Sequence, residues 1–165
     1  MGYERRLILP SRHQASELGI LPLIFLAGPI GDAPEWHNDA VNILQNLKSE
    51  KRFYIASPHE MMDSLEGYDY QIDWELDHMQ RAVDNGCLLF WFANQKTKSE
   101  RAYAQTSRVE FGEALGGLKR KKFNISVGAD YGFDGDYYIK YRLGKIGVPL
   151  LRSLEDTCRY AVDSI

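Results

Sequence analysis

Apolar residues in this chain fall into short unbroken runs, and between the runs they recur every three or four positions. Leu23-Ile24-Phe25-Leu26-Ala27, ended by Gly28-Pro29, is one such run, and an unbroken apolar segment of that length predicts a strand covered on both faces. Phe53-Tyr54-Ile55-Ala56 repeats the pattern before Ser57-Pro58, and Cys87-Leu88-Leu89-Phe90-Trp91-Phe92 is its strongest instance. Phe123–Val127 and Val148–Leu151 predict a fourth and a fifth strand. Helical spacing occupies the intervals. Trp36, Ala40, Val41, Ile43, Leu44 and Leu47 form a stripe within 34–48, where Pro34 fits the first turn. Ile72, Leu76, Met79, Ala82 and Val83 do the same within 70–83. Thr106–Leu118, closed by Gly116-Gly117, predicts a third helix; 136–143 and 153–162 predict two more.

Buried strands alternating with helices imply a parallel sheet with right-handed crossovers. The expected fold class is therefore α/β: a doubly wound, five-stranded parallel sheet with helices on both faces. Residues 1–22 read as an N-terminal extension with a short strand at Arg6–Leu9 halted by Pro10, and 23–165 as a single domain. In such sheets ligands bind beyond the carboxyl ends of the strands, near the switch in strand order. The candidate loops are those after Ala27, Ala56, Phe92 and Val127.

Composition narrows the partners. The chain is 44% apolar, 26% charged and 12% aromatic, which excludes disorder. Twenty Lys and Arg against 23 Asp and Glu give a net charge of −3, so no nucleic-acid polymer is expected as a partner and a small, weakly charged ligand suits better. Cys87 and Cys158 form no CxxC pair, zinc spacing or disulfide framework. The apolar stretch 18–30 contains Pro22 and Pro29 and is too short to span a bilayer, and Met1–Arg6 has no signal-peptide core. A cytoplasmic location without membrane attachment is expected. The four histidines show no ligand spacing, and no metal is expected.

After the first predicted strand comes Gly28-Pro29-Ile30-Gly31-Asp32. The glycines fit either a tight strand-to-helix turn or a backbone that a ligand approaches closely. The segment is not GxGxxG and lacks the hydroxyl run of a flavin phosphate loop, so no cofactor is expected. Ala93-Asn94 stands where a response regulator would carry its phosphorylated Asp. Asp73, Glu75 and Asp77 lie on the second helix, with Asp73 and Asp77 sharing a face. They read as a solvated face, or as the source of one acid that looks into the site. Ser107-x-x-Glu110 has the form of a capping box. Its other reading is a carboxylate in the first turn of a helix, kept ionised by the positive helix end and ready to act as a nucleophile.

In order and spacing, Ile24-Phe25-Leu26-Ala27-Gly28-Pro29, Trp74-Glu75, the apolar strand 87–92 and Ser107-Arg108-Val109-Glu110-Phe111-Gly112-Glu113-Ala114-Leu115 resemble the nucleoside 2-deoxyribosyltransferase family. The likeness covers about residues 23–128, and Val127-Gly128-Ala129-Asp130 also fits. The resemblance implies a flavodoxin-like sheet, Glu110 as nucleophile, and Asp77 or Glu75 as the acid that meets the base. Just before Glu110 the chain departs from better-known members, with Ala104-Gln105-Thr106-Ser107-Arg108 in place of a Gly-rich turn with an acid upstream. There Ser107 and Arg108 would bind a 5′-phosphate, as in nucleotide-hydrolysing relatives.

Breaking an N-glycosidic bond builds positive charge on the sugar, so an anion beneath C1′ stabilises the transition state and can trap it as an ester. A second acid protonates the base, as in retaining glycosidases, whose carboxyl groups sit ~5 Å apart. Sugars without a 2′-hydroxyl ionise more readily, which favours 2′-deoxynucleosides. Three readings follow: transfer or cleavage of the N-glycosidic bond of a deoxynucleoside, hydrolysis of a deoxynucleoside 5′-monophosphate, and a silent nucleotide-sensing module. Gly28, Pro29, Trp36, Trp74, Asn94, Ser107 and Arg108 are the candidate substrate contacts, with Tyr68 and Tyr70 as further stacking aromatics. The expected partners are a nucleoside or nucleotide and an acceptor base. Relatives complete each site with a neighbouring subunit, and a homo-oligomer (a dimer or a dimer of dimers) is expected through the aromatic segment Tyr131, Phe133, Tyr137, Tyr138 and Tyr141, a costly apolar patch on a monomer.

Overall fold

Strand and helix alternate along the chain in the computed structural model, which describes residues 5–10, 13–59, 67–97 and 102–165. In order the elements are β1 (Arg5–Ile8), β2 (Leu23–Ala27), α1 (Trp36–Asn46), β3 (Phe53–Ala56), α2 (Tyr68–Asp84), β4 (Gly86–Phe92), α3 (Gln105–Leu118), β5 (Asn124–Ala129), α4 (Asp136–Gly144), β6 (Leu150–Leu151) and α5 (Leu154–Ser164), with a 3-10 turn at Ala15–Glu17. All the strands pair in parallel in one sheet of order β1-β3-β2-β4-β5-β6. Consecutive strands β2 and β3 run to one side of β4 and β5 to the other, which is the doubly wound arrangement.

The sheet has six strands where five are expected. The extra one is β1, which pairs with β3 from Arg5↔Phe53 to Ile8↔Ala56 and forms an edge. Its anchor is Arg5, whose Nη1 donates to the carbonyls of Leu44 (2.9 Å) and Leu47 (2.6 Å) at the end of α1. The Leu44 carbonyl, in the last turn of α1, has no partner inside the helix, so a cation there satisfies it and meets the negative helix end.

Every residue of β2 and β3 is buried, and alternate side chains go to opposite faces. Phe25, Leu88, Phe90 and Phe92 join Trp74 of α2, Phe111 and Leu115 of α3 and Leu143 of α4 on one face. Ile24, Leu26, Leu89 and Trp91 join Trp36 and Leu44 of α1 and Cys158 and Val162 of α5 on the other. Burial pushes both cysteine thiols up to about 12, so they are packing residues. No helix among the described residues is long and apolar enough to cross a membrane.

Helix ends differ from the expected ones by a residue or two. α1 begins at Trp36 with Glu35 before it, so Pro34 lies ahead of the first turn. Gly135 in left-handed conformation precedes α4, and Asp136 pairs with Arg152 at 2.9 Å instead of capping the helix. Met1–Glu4 lies outside the described residues.

Candidate active site

β2 and β4 lie side by side at the switch in strand order, with α1 after β2 on one face of the sheet and α3 after β4 on the other, beside α2. A cavity of about 780 Å³ opens there, within the range of small-molecule sites. Its floor is the end of β2, Phe25–Ala27, continued by Gly28 to Gly31. One wall is α2, through Gln71, Ile72, Glu75, Leu76 and Met79; the other is the start of α3, through Gln105, Thr106, Ser107, Val109, Glu110 and Glu113.

The loop after β2 owes its first glycine to packing. A Cβ at Gly28, whose φ is 153°, would lie 2.3 Å from the Trp91 carbonyl oxygen and 2.7 Å from the Trp36 ring. Interior contacts occupy that space, which gives Gly28 a packing reason to lack a side chain. Its backbone and Pro29 still line the cavity.

Three carboxylates face this space, one from α2 and two from α3. Burial, with the charges of Glu75 and Glu113 nearby, pushes Glu110 up to about 8. Burial also raises Glu75, opposed by the side-chain amide of Gln71, which donates to Glu75 Oε1 at 2.9 Å. Like charges in a poorly hydrated site cannot all ionise cheaply, which favours the protonated form of Glu110 and Glu75. This corrects the expectation of an ionised Glu110 at a helix N-terminus. α3 starts at Gln105, after Ala104 in left-handed conformation (φ 58°), which puts Glu110 in the second turn, away from the positive end. The capping box does not form either, because Ala104 is the N-cap and the helix start carries no side-chain cap bond.

Gly28, Pro29, Glu75, Ser107 and Glu110 are the expected site residues that line the cavity. Asp77, Trp36, Trp74, Asn94 and Arg108 lie elsewhere. Asp77 is exposed on α2, outside the cavity wall. Trp36 is interior, its Nε1 donating to the Pro29 carbonyl at 2.9 Å, and Trp74 is interior with its Nε1 on the His13 carbonyl at 2.7 Å. Asn94 joins the loops after β4 and β5: its backbone N–H donates to Asp130 Oδ2 at 2.8 Å and its amide to the Tyr131 carbonyl at 2.9 Å. Arg108 lies 4.9 Å over the Phe133 ring and donates to the Asp134 carbonyl at 2.7 Å. Tyr70 hydrogen-bonds the Pro10 carbonyl, whereas Tyr68 stands exposed on the cavity rim.

Gln71 and Glu113 are wall residues that sequence reasoning did not assign to the site. The signal for Gln71 was present, since it lies four residues before Glu75 and shares its face. Among the described lining residues there is no Lys, Arg or His. No cluster of three or more His, Cys, Asp or Glu with metal-holding geometry occurs among the described residues.

A family model described as nucleoside 2-deoxyribosyltransferase like matches residues 22–130, the stretch that contains β2 through β5 and every wall of the cavity. No curated protein matches the chain.

Proposed function

Since the chain belongs to the nucleoside 2-deoxyribosyltransferase-like family, we propose that it cleaves the N-glycosidic bond of a 2′-deoxynucleoside and passes the sugar to an acceptor base, or to water, through Glu110. The observation that carries this reading is the meeting of Glu110 and Glu75, from two helices, in one cavity at the switch point. The C1′–N bond breaks with its electron pair passing to the base nitrogen, which takes a proton from Glu75. A carboxylate oxygen of Glu110 forms the new bond to C1′. In the return step an acceptor nitrogen or a water attacks C1′, gives its proton to Glu75, and frees Glu110. The apolar floor and the Tyr68 ring supply surfaces for a base. The reaction calls on no cofactor. The working unit is a homodimer, or a dimer of dimers, in the cytoplasm.

A 5′-monophosphate is the less favoured substrate. Three carboxylates and no cation among the described lining residues make a poor place for a dianion, and Arg108 is engaged with Phe133 and Asp134. The test is incubation of the protein with each deoxynucleoside and each 5′-monophosphate, with and without a free base, scored by chromatography. Base exchange or release from a deoxynucleoside supports the proposal. Turnover of monophosphates alone would move the assignment to nucleotide hydrolysis, and turnover of neither would leave a binding module.

A further inference from the structure

The acid in this site has two oxygens, and only one of them is left for a substrate. Gln71 and Glu75 lie one turn apart on α2, both line the cavity, and the Gln71 amide Nε2 donates to Glu75 Oε1 at 2.9 Å. We infer that Gln71 is a positioning residue of the reaction, holding Glu75 Oε1 as an acceptor so that the transferable proton sits on Oε2. The inference rests on the reading of Glu75 as the acid that protonates the departing base.

An N–H group bonded to Oε1 occupies that oxygen as an acceptor, and the amide nitrogen cannot accept a proton in return. When Glu75 is protonated, Oε1 is therefore its carbonyl oxygen and Oε2 its hydroxyl. The same bond removes much of the side chain's rotational freedom, which matters because an acid must stand within hydrogen-bond reach of the atom it protonates. In a half-buried site such a bond is stronger than it would be in water. Among the described residues, Gln71 is the side chain that bonds Glu75. Gln71 does not touch the bond that breaks, and its effect passes through Glu75.

A substrate pair separates this role from a structural one. The first member is a 2′-deoxynucleoside that the native protein cleaves. The second is its analogue whose base departs without a proton: the N7-methylated cation for a purine, the 5-nitro derivative for a pyrimidine. Gln71→Met keeps the length and loses the donor. With the ordinary nucleoside its kcat should fall roughly tenfold, a part of the ~10²–10⁴ that a positioned general acid supplies, with KM changed less than about twofold. With the activated analogue kcat should stay within about twofold of native. Gln71→Glu keeps the shape and loses the donor only when the new carboxyl is ionised, so its activity on the ordinary nucleoside should recover as pH falls; this variant carries the test alone if Gln71→Met does not fold. Equal losses on both substrates, a higher KM at unchanged kcat, or no loss at all would overturn the inference. Glu110→Gln, assayed alongside, keeps the two questions apart: if it stays active the proposed reaction itself falls, and if it is dead the Gln71 result is read on its own.

Discussion

In the proposed reaction Glu110 is the nucleophile, and its buried surroundings give that role a measurable pH dependence. The attacking carboxylate must be an anion while the acid keeps its proton, so the active form has one proton on the Glu75–Glu110 pair. Such a pair titrates as a unit. Because burial and neighbouring carboxylates push Glu110 up to about 8, the pair loses its last proton above that pH, and kcat/KM should decline there. In Glu75→Gln only the Glu110 anion is needed, so the residual rate should instead climb with pH before levelling. A pH–rate profile with the same basic limb in both proteins would refute the shared proton. The sign for stability follows from the same shift. A carboxyl whose folded value is raised contributes stability that is full below its unfolded value, near 4.5, and is lost as pH rises toward about 8. Glu110→Gln should therefore raise Tm at pH 8 relative to the native protein while base release falls by several orders of magnitude. Glu113→Gln should stay active, since that residue sits a turn further along α3. A Glu110→Gln protein with near-native turnover would remove the nucleophile assignment.

Elements fix which of these side chains reach the cavity, and here sequence and structure part in instructive ways. Runs such as Leu23–Ala27 identify strands because a residue buried on both faces leaves no polar position. The family-like segments place Glu75 and Glu110, and the switch-point rule places the cavity. The interior role of Trp36 was legible in the apolar stripe of its helix, and the structure puts both Trp36 and Trp74 in the core and off the cavity wall. The start of α3 was not legible, because a backbone turn at Ala104 with positive φ has no residue signature when the residue is alanine. Ala104 takes the N-cap place that Ser107 would hold in a capping box, and that three-residue shift takes Glu110 out of the first turn. The Gly28 contact predicts that Gly28→Ala destabilises by about 1–3 kcal/mol through forced movement against the Trp91 carbonyl, as overpacked interiors do. An unchanged midpoint in urea unfolding would show the strand end to be free to give. His37 on α1 is fully buried, lies tilted against Trp36 with 3.6 Å between ring centres, and has no hydrogen-bond partner for either ring nitrogen among the described residues. Burial lowers it to about 3. Its depressed value means stability present above about 6.5 and lost as pH falls toward 3. His37→Phe should flatten that part of a Tm–pH curve, and an unaltered curve would assign the acid sensitivity to other groups.

At the scale of the whole molecule, exposed apolar surface bears on the proposed oligomer. Of the aromatic segment expected to be exposed, Phe133 is in the core against Phe92, 3% exposed, so the patch is smaller than the sequence implies. Its four tyrosines are out: Tyr131, Tyr137, Tyr138 and Tyr141 are 53–79% exposed. Cations lie over three of these rings, Arg152 on Tyr131, Arg142 on Tyr138 and Lys145 on Tyr141. Exposed aromatic rings paired with cations are an amphipathic surface of the kind that protein interfaces enrich. Scattered exposed tyrosines need no explanation, but four within one loop and the helix after it are a concentration of the kind that marks contact surfaces. In the proposed homo-oligomer this surface would face a second copy of the chain, with its cations directed at acids such as the exposed Asp73 and Asp77 of α2. Light scattering at micromolar concentration should give at least twice the 18.9 kDa chain mass, with the mass falling as salt is raised and the cross-surface charges are screened. Tyr137→Ser combined with Tyr141→Ser should return a monomer with an intact circular dichroism spectrum. A native protein that scatters as a monomer at full activity would sink the dimer, and a dimer untouched by the double substitution would put its interface elsewhere.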